Sequence, residues 1–291
     1  MPIPVRATRR GVLSLAALAS FIAPARAAEG GFFRTSDGVR LHYLEAGPRG
    51  GGAPAIVIVP GWCMPAWLFE PQLRGLSSRF RVIVLDPRGQ GDSEIPSTGY
   101  DHVRRGADIG DLLDALRLPR AVILGWSLGV LDTLGYVATR GDGRVAGLVL
   151  VDNSVGEDPP PTAPGPRPPL PRLSREEWMR RFVRGMFRHP PAQAVLDRLT
   201  DEALRMPPDA SQALLSYPVP RTYWRDAVYS TSRPVLYAVR PRFAGQAANL
   251  GARHPNAETV VFAEAGHALF ADEPERFNAM VADFVRRKVQ A

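Results

Sequence analysis

Cysteine is nearly absent. Cys63 stands alone in 291 residues, so no disulfide can close within the chain and stability has to come from packing. Histidine is scarce, with five residues, and no cysteine and histidine cluster suggests a metal site. The apolar stretch from Gly11 to Ala23 falls short of the roughly 20 residues that cross a bilayer. The formal net charge of +7 also thins out: without Arg6, Arg9, Arg10 and Arg26, 32 basic residues face 29 acidic ones, a net of +3. The basic residues are scattered, apart from a concentration between Arg172 and Arg188, which argues against a nucleic-acid partner. With 45% apolar residues the chain can bury a full core, and its length suits one large domain or one domain with an insertion.

The first residues have a logic of their own. Arg9-Arg10 precede the short apolar segment, and Pro24-Ala25-Arg26-Ala27-Ala28 supplies an A-x-A site. This pattern predicts a secretory signal over residues 1–27, cleaved after Ala27, with no stable membrane insertion afterwards and a periplasmic or secreted product. Thr8-Arg9-Arg10 before Gly11-Val12-Leu13 resembles a twin-arginine signal.

What is present centres on Gly125-Trp126-Ser127-Leu128-Gly129, a G-x-S-x-G segment after the apolar run Arg120 to Leu124 and before a predicted helix from Val130 to Thr139. A strand that turns into a helix within a few residues strains its middle residue, and glycines two positions away remove side chains that would collide there. The turn displays the Ser127 hydroxyl above the sheet edge and aims the Leu128 backbone N–H at whatever Ser127 attacks. Ser127 is the candidate nucleophile.

Around this segment, short apolar runs alternate with helical stretches. Phe32 to Thr35 and Val39 to Leu44 flank Ser36-Asp37-Gly38 and predict an antiparallel hairpin, with His42 on a strand face. Ala55–Val59, Arg81–Leu85 and Val145–Val151 are continuous apolar runs of the kind a strand buried on both faces needs. Helices are predicted over 67–79 and 101–116. The alternation predicts an α/β fold with a mostly parallel sheet and helices on both faces.

The pattern breaks between Gly156 and Arg172, where eight prolines predict an extended linker. Helices are expected over 173–188, capped by Ser174, and over 192–206 and 209–217. The resulting division is a core of 28–155 and 232–291 with a helical cap insertion, 156–231, over the strand ends. Trp178, Phe182, Phe187, Tyr217, Tyr223 and Trp224 either line an apolar pocket there or pack the cap. The sheet resumes at 234–239 and 258–262, and Glu275 to Lys288 predicts a closing helix.

A serine hydroxyl needs a base within hydrogen-bond reach and donors for the developing oxyanion. His42, His102, His189 and His254 lie on an early strand, at a helix start, in the insertion and beside Pro255. His267 alone follows a predicted core strand on a glycine-preceded loop, and is the candidate base.

The elbow, Asp86-Pro87-Arg88-Gly89-Gln90-Gly91-Asp92-Ser93 and Gly266-His267 with a closing helix resemble the α/β-hydrolase superfamily over roughly 31–155 and 232–291. The resemblance implies a second oxyanion donor just after a His-Gly pair; here the pair is Pro60-Gly61, and the donor would be the Trp62 backbone N–H. Trp62 and Trp126 then either wall the acyl pocket or pack. The usual acid position, the loop Arg240 to Gln246, holds no carboxylate. Some members carry the acid after the strand that follows the elbow helix, where Asp152 stands, so Asp152 either orients His267 as a triad requires or caps a loop. Glu264 and Asp272 lie too close to His267 in sequence, and Asp86 and Asp92 are expected to fix their turn.

The expected protein is therefore an exported serine hydrolase of small-molecule carboxylic esters or lactones, working without cofactor or metal. The same scaffold hosts cofactor-free perhydrolases and carbon–carbon bond hydrolases, and the missing usual acid admits a non-catalytic binding module. Serine at 127 excludes the dehalogenase branch, which needs aspartate there.

Overall fold

The computed structural model describes residues 28–50, 54–161, 173–216 and 218–290. The predicted signal, most of the proline-rich linker and Tyr217 lie outside them. Among the described residues eight strands form one sheet: β1 (Glu29–Arg34), β2 (Arg40–Ala46), β3 (Ala55–Val59), β4 (Val82–Asp86), β5 (Ala121–Trp126), β6 (Val145–Val151), β7 (Val235–Val239) and β8 (Ala257–Val261). Their order is β1-β2-β4-β3-β5-β6-β7-β8, antiparallel at β1–β2 and β2–β4 and parallel from β4 onward.

The continuous apolar runs become the buried centre, since β3 to β7 have helices on both faces. Side chains alternate between two cores. Ile56, Ile58, Val82, Val84, Val122, Leu124, Val149 and Val151 point to one face, and Val57, Val59, Ile83, Leu85, Ile123, Leu148 and Leu150 to the other. Each such side chain removed from water contributes about 1.5–3 kcal/mol, which is how a chain without disulfides holds its sheet.

The helices are α1 (Glu70–Leu76), α2 (His102–Ala115), α3 (Leu128–Arg140), α4 (Arg175–Gly185), α5 (Gln193–Leu204), α6 (Pro208–Ala213), α7 (Arg221–Tyr229), α8 (Ala244–Arg253), α9 (Leu269–Asp272) and α10 (Pro274–Phe284). The Asp101 side chain caps α2 by accepting the Arg104 N–H at 2.8 Å. Ser174 and Glu177 close a reciprocal capping box at the start of α4, as the sequence there suggests. Residues of α4, α5 and α6 join the core on the α1 and α10 face.

Two helices depart from the sequence reading. α7 falls within the stretch read as cap, yet its Trp224, Ala227 and Val228 are buried in the opposite core beside α3, with the Trp224 ring edge-on to His102 at 5.3 Å. Of the described helices in that stretch, α4 to α6 pack on the other face. α8 stands where the sequence carries no helix signal, because Ala244-Gly245-Gln246-Ala247-Ala248-Asn249-Leu250 offers two buried apolar anchors, Ala247 and Leu250, and little periodic contrast.

Neighbouring strands β3 and β5 are left by connections that run to opposite sides, β3 to β4 one way and β5 to β6 the other. At such a switch point the loops leaving the carboxyl ends splay apart and leave a crevice. The segments leaving β3 and β5 carry Gly61-Trp62 and Ser127.

Candidate active site

Ser127 is the residue between β5 and α3, and its backbone adopts φ 54° and ψ −123°, a conformation that costs a non-glycine residue about 1–3 kcal/mol. Hydrogen bonds fix it there. Its N–H donates to the Val151 carbonyl at 2.8 Å, and its carbonyl accepts from Asn153 Nδ2 at 2.8 Å. The flanking glycines permit close approach: a β-carbon at Gly125 would lie 2.3 Å from the Gly129 carbonyl oxygen, and one at Gly129 would lie 2.1 Å from that of Val59. Backbone sits on both sides of these contacts, so nothing flexible can yield. Gly129→Ala is expected to destabilise the fold by about 3 kcal/mol, read as a lowered urea midpoint with unchanged slope.

In the register between β5 and β6, Trp126 pairs with Val151, so the next residues of each strand, Ser127 and Asp152, emerge side by side. Asp152 also has a positive φ, 50°, and its N–H continues the ladder to the Ala238 carbonyl at 2.9 Å. His267 arrives from the loop before α9 and bridges the two: Nε2 lies 2.8 Å from Ser127 Oγ, and Nδ1 lies 2.6 Å from Asp152 Oδ2. The structure thus brings together the three side chains named from sequence. With Nδ1–H donated to the carboxylate, Nε2 is left to accept the Ser127 proton.

The loop where an acid is usually found supplies a cation instead. Arg240 donates Nε to Asp152 Oδ2 at 2.6 Å and its backbone N–H to Oδ1 at 2.9 Å, while Nη2 approaches His267 Nδ1 at 3.3 Å. Both His267 Nδ1 and the guanidinium are donors in this tautomer, so the carboxylate at 2.6 Å is the real partner of each. Burial pushes Asp152 up, but the His267 bond and the Arg240 charge outweigh it and hold the carboxyl below its usual range. A depressed carboxylate contributes stability that is present above its unfolded value, about 3.9, and is lost as pH falls through the folded value. Arg240→Met is accordingly expected to cost about 2 kcal/mol at pH 7, with the gap to wild type closing as pH drops below about 4, measured by denaturant unfolding at both pH values.

His267 is itself held. The indole Nε1 of Trp126 donates to the His267 carbonyl at 2.8 Å, and the Gly266 N–H donates to Asp272 Oδ2 at 2.7 Å. Asp272 also accepts the backbone N–H groups of Arg188 and His189, each at 2.9 Å, which ties the histidine loop to the chain leaving α4. Trp126 is 1% exposed and wedged against Phe69 and Phe270, so of the two readings the sequence leaves open its burial favours packing, with the indole supporting His267. Trp62 is largely buried, donating Nε1 to the Ser211 carbonyl of α6 at 2.7 Å and lying edge-on to Trp178 and Phe182 of α4. Its side chain therefore packs against the cap helices. Phe187 is buried in the same core, whereas Trp178 and Phe182 stack at 5.5 Å with Trp178 43% exposed.

The Leu128 amide opens α3, where the helix end favours negative charge. On the other side of Ser127, a β-carbon at Gly61 would lie 2.9 Å from Ser127 Cβ, so the Gly61-Trp62 backbone runs against the nucleophile.

The histidines set aside from sequence have other partners. His42 Nδ1 meets Asp86 Oδ2 at 2.7 Å, His102 Nδ1 meets Asp132 Oδ1 at 2.9 Å, and His254 Nε2 meets the Thr231 carbonyl at 3.1 Å. His42, Asp86 and Asp92 offer ligand atoms within 4.8 Å of one another, but Asp86 already accepts from His42 and from the Ala66 and Asp92 amides, which makes the trio a turn lock. Among the described residues, no helix is long and apolar enough to cross a membrane.

Fold and site together define an α/β hydrolase. The model of the alpha/beta hydrolase family matches residues 56–280, and the chain belongs to that family. A non-heme chloroperoxidase of Streptomyces lividans is 43% identical over 122 residues, 42% of this chain and 44% of that protein, so the match spans less than half of that relative. A pimeloyl-acyl-carrier protein methyl ester esterase of Vibrio campbellii is 28% identical over 262 residues, covering 84% of this chain and 98% of the relative. Among solved structures, a protein of Burkholderia cenocepacia provisionally described as an aryl esterase superposes with a TM-score of 0.76 at 25% identity, over 89% of this chain and 98% of the other.

Proposed function

We propose that this α/β hydrolase cleaves carboxylic esters or lactones through an acyl-enzyme on Ser127. The observation that carries the reading is the unbroken run from Ser127 Oγ to His267 Nε2 at 2.8 Å and from His267 Nδ1 to Asp152 Oδ2 at 2.6 Å. Ser127 Oγ attacks the ester carbonyl carbon as its proton passes to His267 Nε2, and the paired Asp152 carboxylate stabilises the imidazolium. The carbonyl oxygen takes up the negative charge between the Leu128 and Trp62 backbone N–H groups. Collapse breaks the bond to the alkoxy oxygen, which leaves with the His267 proton. Water then attacks the acyl-enzyme by the same route in reverse, giving the acid and free Ser127. A lactone opens by the same steps with its leaving group still attached.

The Vibrio campbellii relative, a methyl ester esterase by name, favours ester cleavage. The chloroperoxidase name of the Streptomyces lividans relative favours a second reading, a perhydrolase in which hydrogen peroxide replaces water in the second half and releases a peracid. Hydrolysis of p-nitrophenyl acetate, butyrate and octanoate, with a monochlorodimedone assay run with peroxide and bromide, separates the two. Turnover without peroxide-dependent halogenation supports the esterase, and efficient halogenation supports the perhydrolase. Absence of both ester turnover and peroxide-dependent halogenation defeats both.

We also propose export through the predicted signal. Mass analysis of protein from the producing cell's periplasm or medium should begin at Ala28; an intact Met1 terminus on cytoplasmic protein overturns this.

A further inference from the structure

Gln90, in the turn after β4, is 1% exposed and uses its whole amide. Nε2 donates to the Gly61 carbonyl at 3.0 Å and the Met64 carbonyl at 2.8 Å. Oε1 accepts from the Cys63 N–H at 3.2 Å and from Arg105 Nη1 at 3.0 Å. Three of these four bonds go to the single turn Gly61 to Met64. The fourth settles which way the amide faces, because a guanidinium can only donate and must therefore meet the oxygen. Arg105, 2% exposed, is anchored in turn by an ion pair with Asp132 at 2.8 Å.

The turn needs such a clamp. The Met64 N–H reaches back to the Gly61 carbonyl at a long 3.3 Å, and Cys63 sits in its third position with φ 59°, where a type II turn ordinarily carries glycine. A side chain in that conformation persists only when its surroundings over-determine it. Gln90 supplies the bonds that do so.

The Gly61 carbonyl and the Trp62 N–H belong to one peptide group. In a trans peptide the two point in opposite directions, so the group that captures the carbonyl also aims the N–H. A hydrogen bond to the carbonyl further polarises the N–H. We propose that Gln90 is the positioning residue of the oxyanion-binding turn: by holding the Gly61 carbonyl it aims and polarises the Trp62 N–H that receives the charge when Ser127 attacks. This rests on the serine-hydrolase reading above. Gln90 touches no substrate. Its effect belongs to the transition state, where the oxygen becomes charged, and not to ground-state binding.

The test compares wild type, Gln90→Met and Gln90→Glu in the full chain. Methionine fills the space and removes every bond, whereas glutamate keeps the bonds accepted from Cys63 and Arg105 and replaces donation to Gly61 and Met64 by an oxygen set against their carbonyls. Activity is expressed per Ser127 that reacts with a fluorophosphonate, which removes any misfolded fraction. Losing a whole oxyanion donor lowers kcat about 10²- to 10³-fold. Misaiming one is expected to lower kcat for p-nitrophenyl acetate about 10- to 100-fold in both variants, with KM within about threefold. Affinity for an alkylboronic acid, whose tetrahedral Ser127 adduct puts an oxygen in the same place, should fall by the same factor as kcat/KM. A merely structural residue would lower the melting temperature and the reactive fraction without this correspondence. If Gln90→Met does not fold, Gln90→Glu carries the comparison. Unchanged kcat per reactive serine in a folded variant, or a loss of kcat with unchanged boronate affinity, overturns the proposal while the hydrolase stands. A wild type that neither reacts at Ser127 nor turns over overturns both.

Discussion

His267→Ala is expected to lower kcat for a short p-nitrophenyl ester by about 10⁵- to 10⁶-fold, close to the effect of Ser127→Ala, with the double variant little worse than either. The reason is that the two act as one unit. His267 is the imidazole bonded to the Ser127 hydroxyl, while His42 and His102 are committed to Asp86 and Asp132 and His254 to the Thr231 carbonyl. The fold should survive, because the loop is held through the His267 carbonyl by Trp126 and through Gly266 by Asp272, and neither bond uses the imidazole. Steady-state kinetics on folded variants check this. Additive losses would mean that Ser127 and His267 do not cooperate.

Asp152→Asn is expected to lower kcat by about 10³- to 10⁴-fold with a small change in KM. Asparagine keeps the shape but brings an NH₂ group to a place where two donors already converge, His267 Nδ1 and Arg240 Nε, both at 2.6 Å from Oδ2. The amide can satisfy them only with its single oxygen. The imidazole is then free to turn or to adopt the tautomer with the proton on Nε2, which cannot accept from Ser127. The 1% exposure of Asp152 means that water cannot make up the loss. Kinetics of the variant, beside its unfolding curve, separate a lost tautomer from a lost fold. Retention of wild-type kcat would move the acid role elsewhere, and Glu264 is no substitute, being exposed.

Arg240 explains why this site was only half legible. Read along the chain, an arginine at the usual acid position is a missing carboxylate. In space, its guanidinium and backbone N–H both close on Asp152, because the pairing of Val151 with Ala238 brings the ends of β6 and β7 side by side. No local spacing announces such a contact 88 residues apart. Asp272 is a similar case: too near His267 in sequence to serve as its acid, it serves the backbone of that loop and of the chain leaving α4. The elbow was legible because its requirements are local, a buried strand, two close backbone approaches and a helix. The strands were legible from their runs of Val, Ile and Leu. α8 was hidden by its small residues, and the side of the sheet that α7 covers was hidden because amphipathicity marks a helix's buried stripe without naming the face that buries it.

Trp62 joins the cap helices to the turn beside Ser127. Its indole is bonded to Ser211 and packed on Trp178 and Phe182, while its backbone lies beside Ser127. The cap helices therefore bear on the same turn that Gln90 holds.

The most direct measurement is reaction of the folded protein with a fluorophosphonate, followed by peptide mass mapping. The account predicts a single modified residue, Ser127, with stoichiometric labelling that disappears in His267→Ala and accompanies ester turnover in the wild type. A folded protein whose Ser127 remains unmodified while the positive-control hydrolase is fully labelled would contradict it, and the binding-module reading would then take its place.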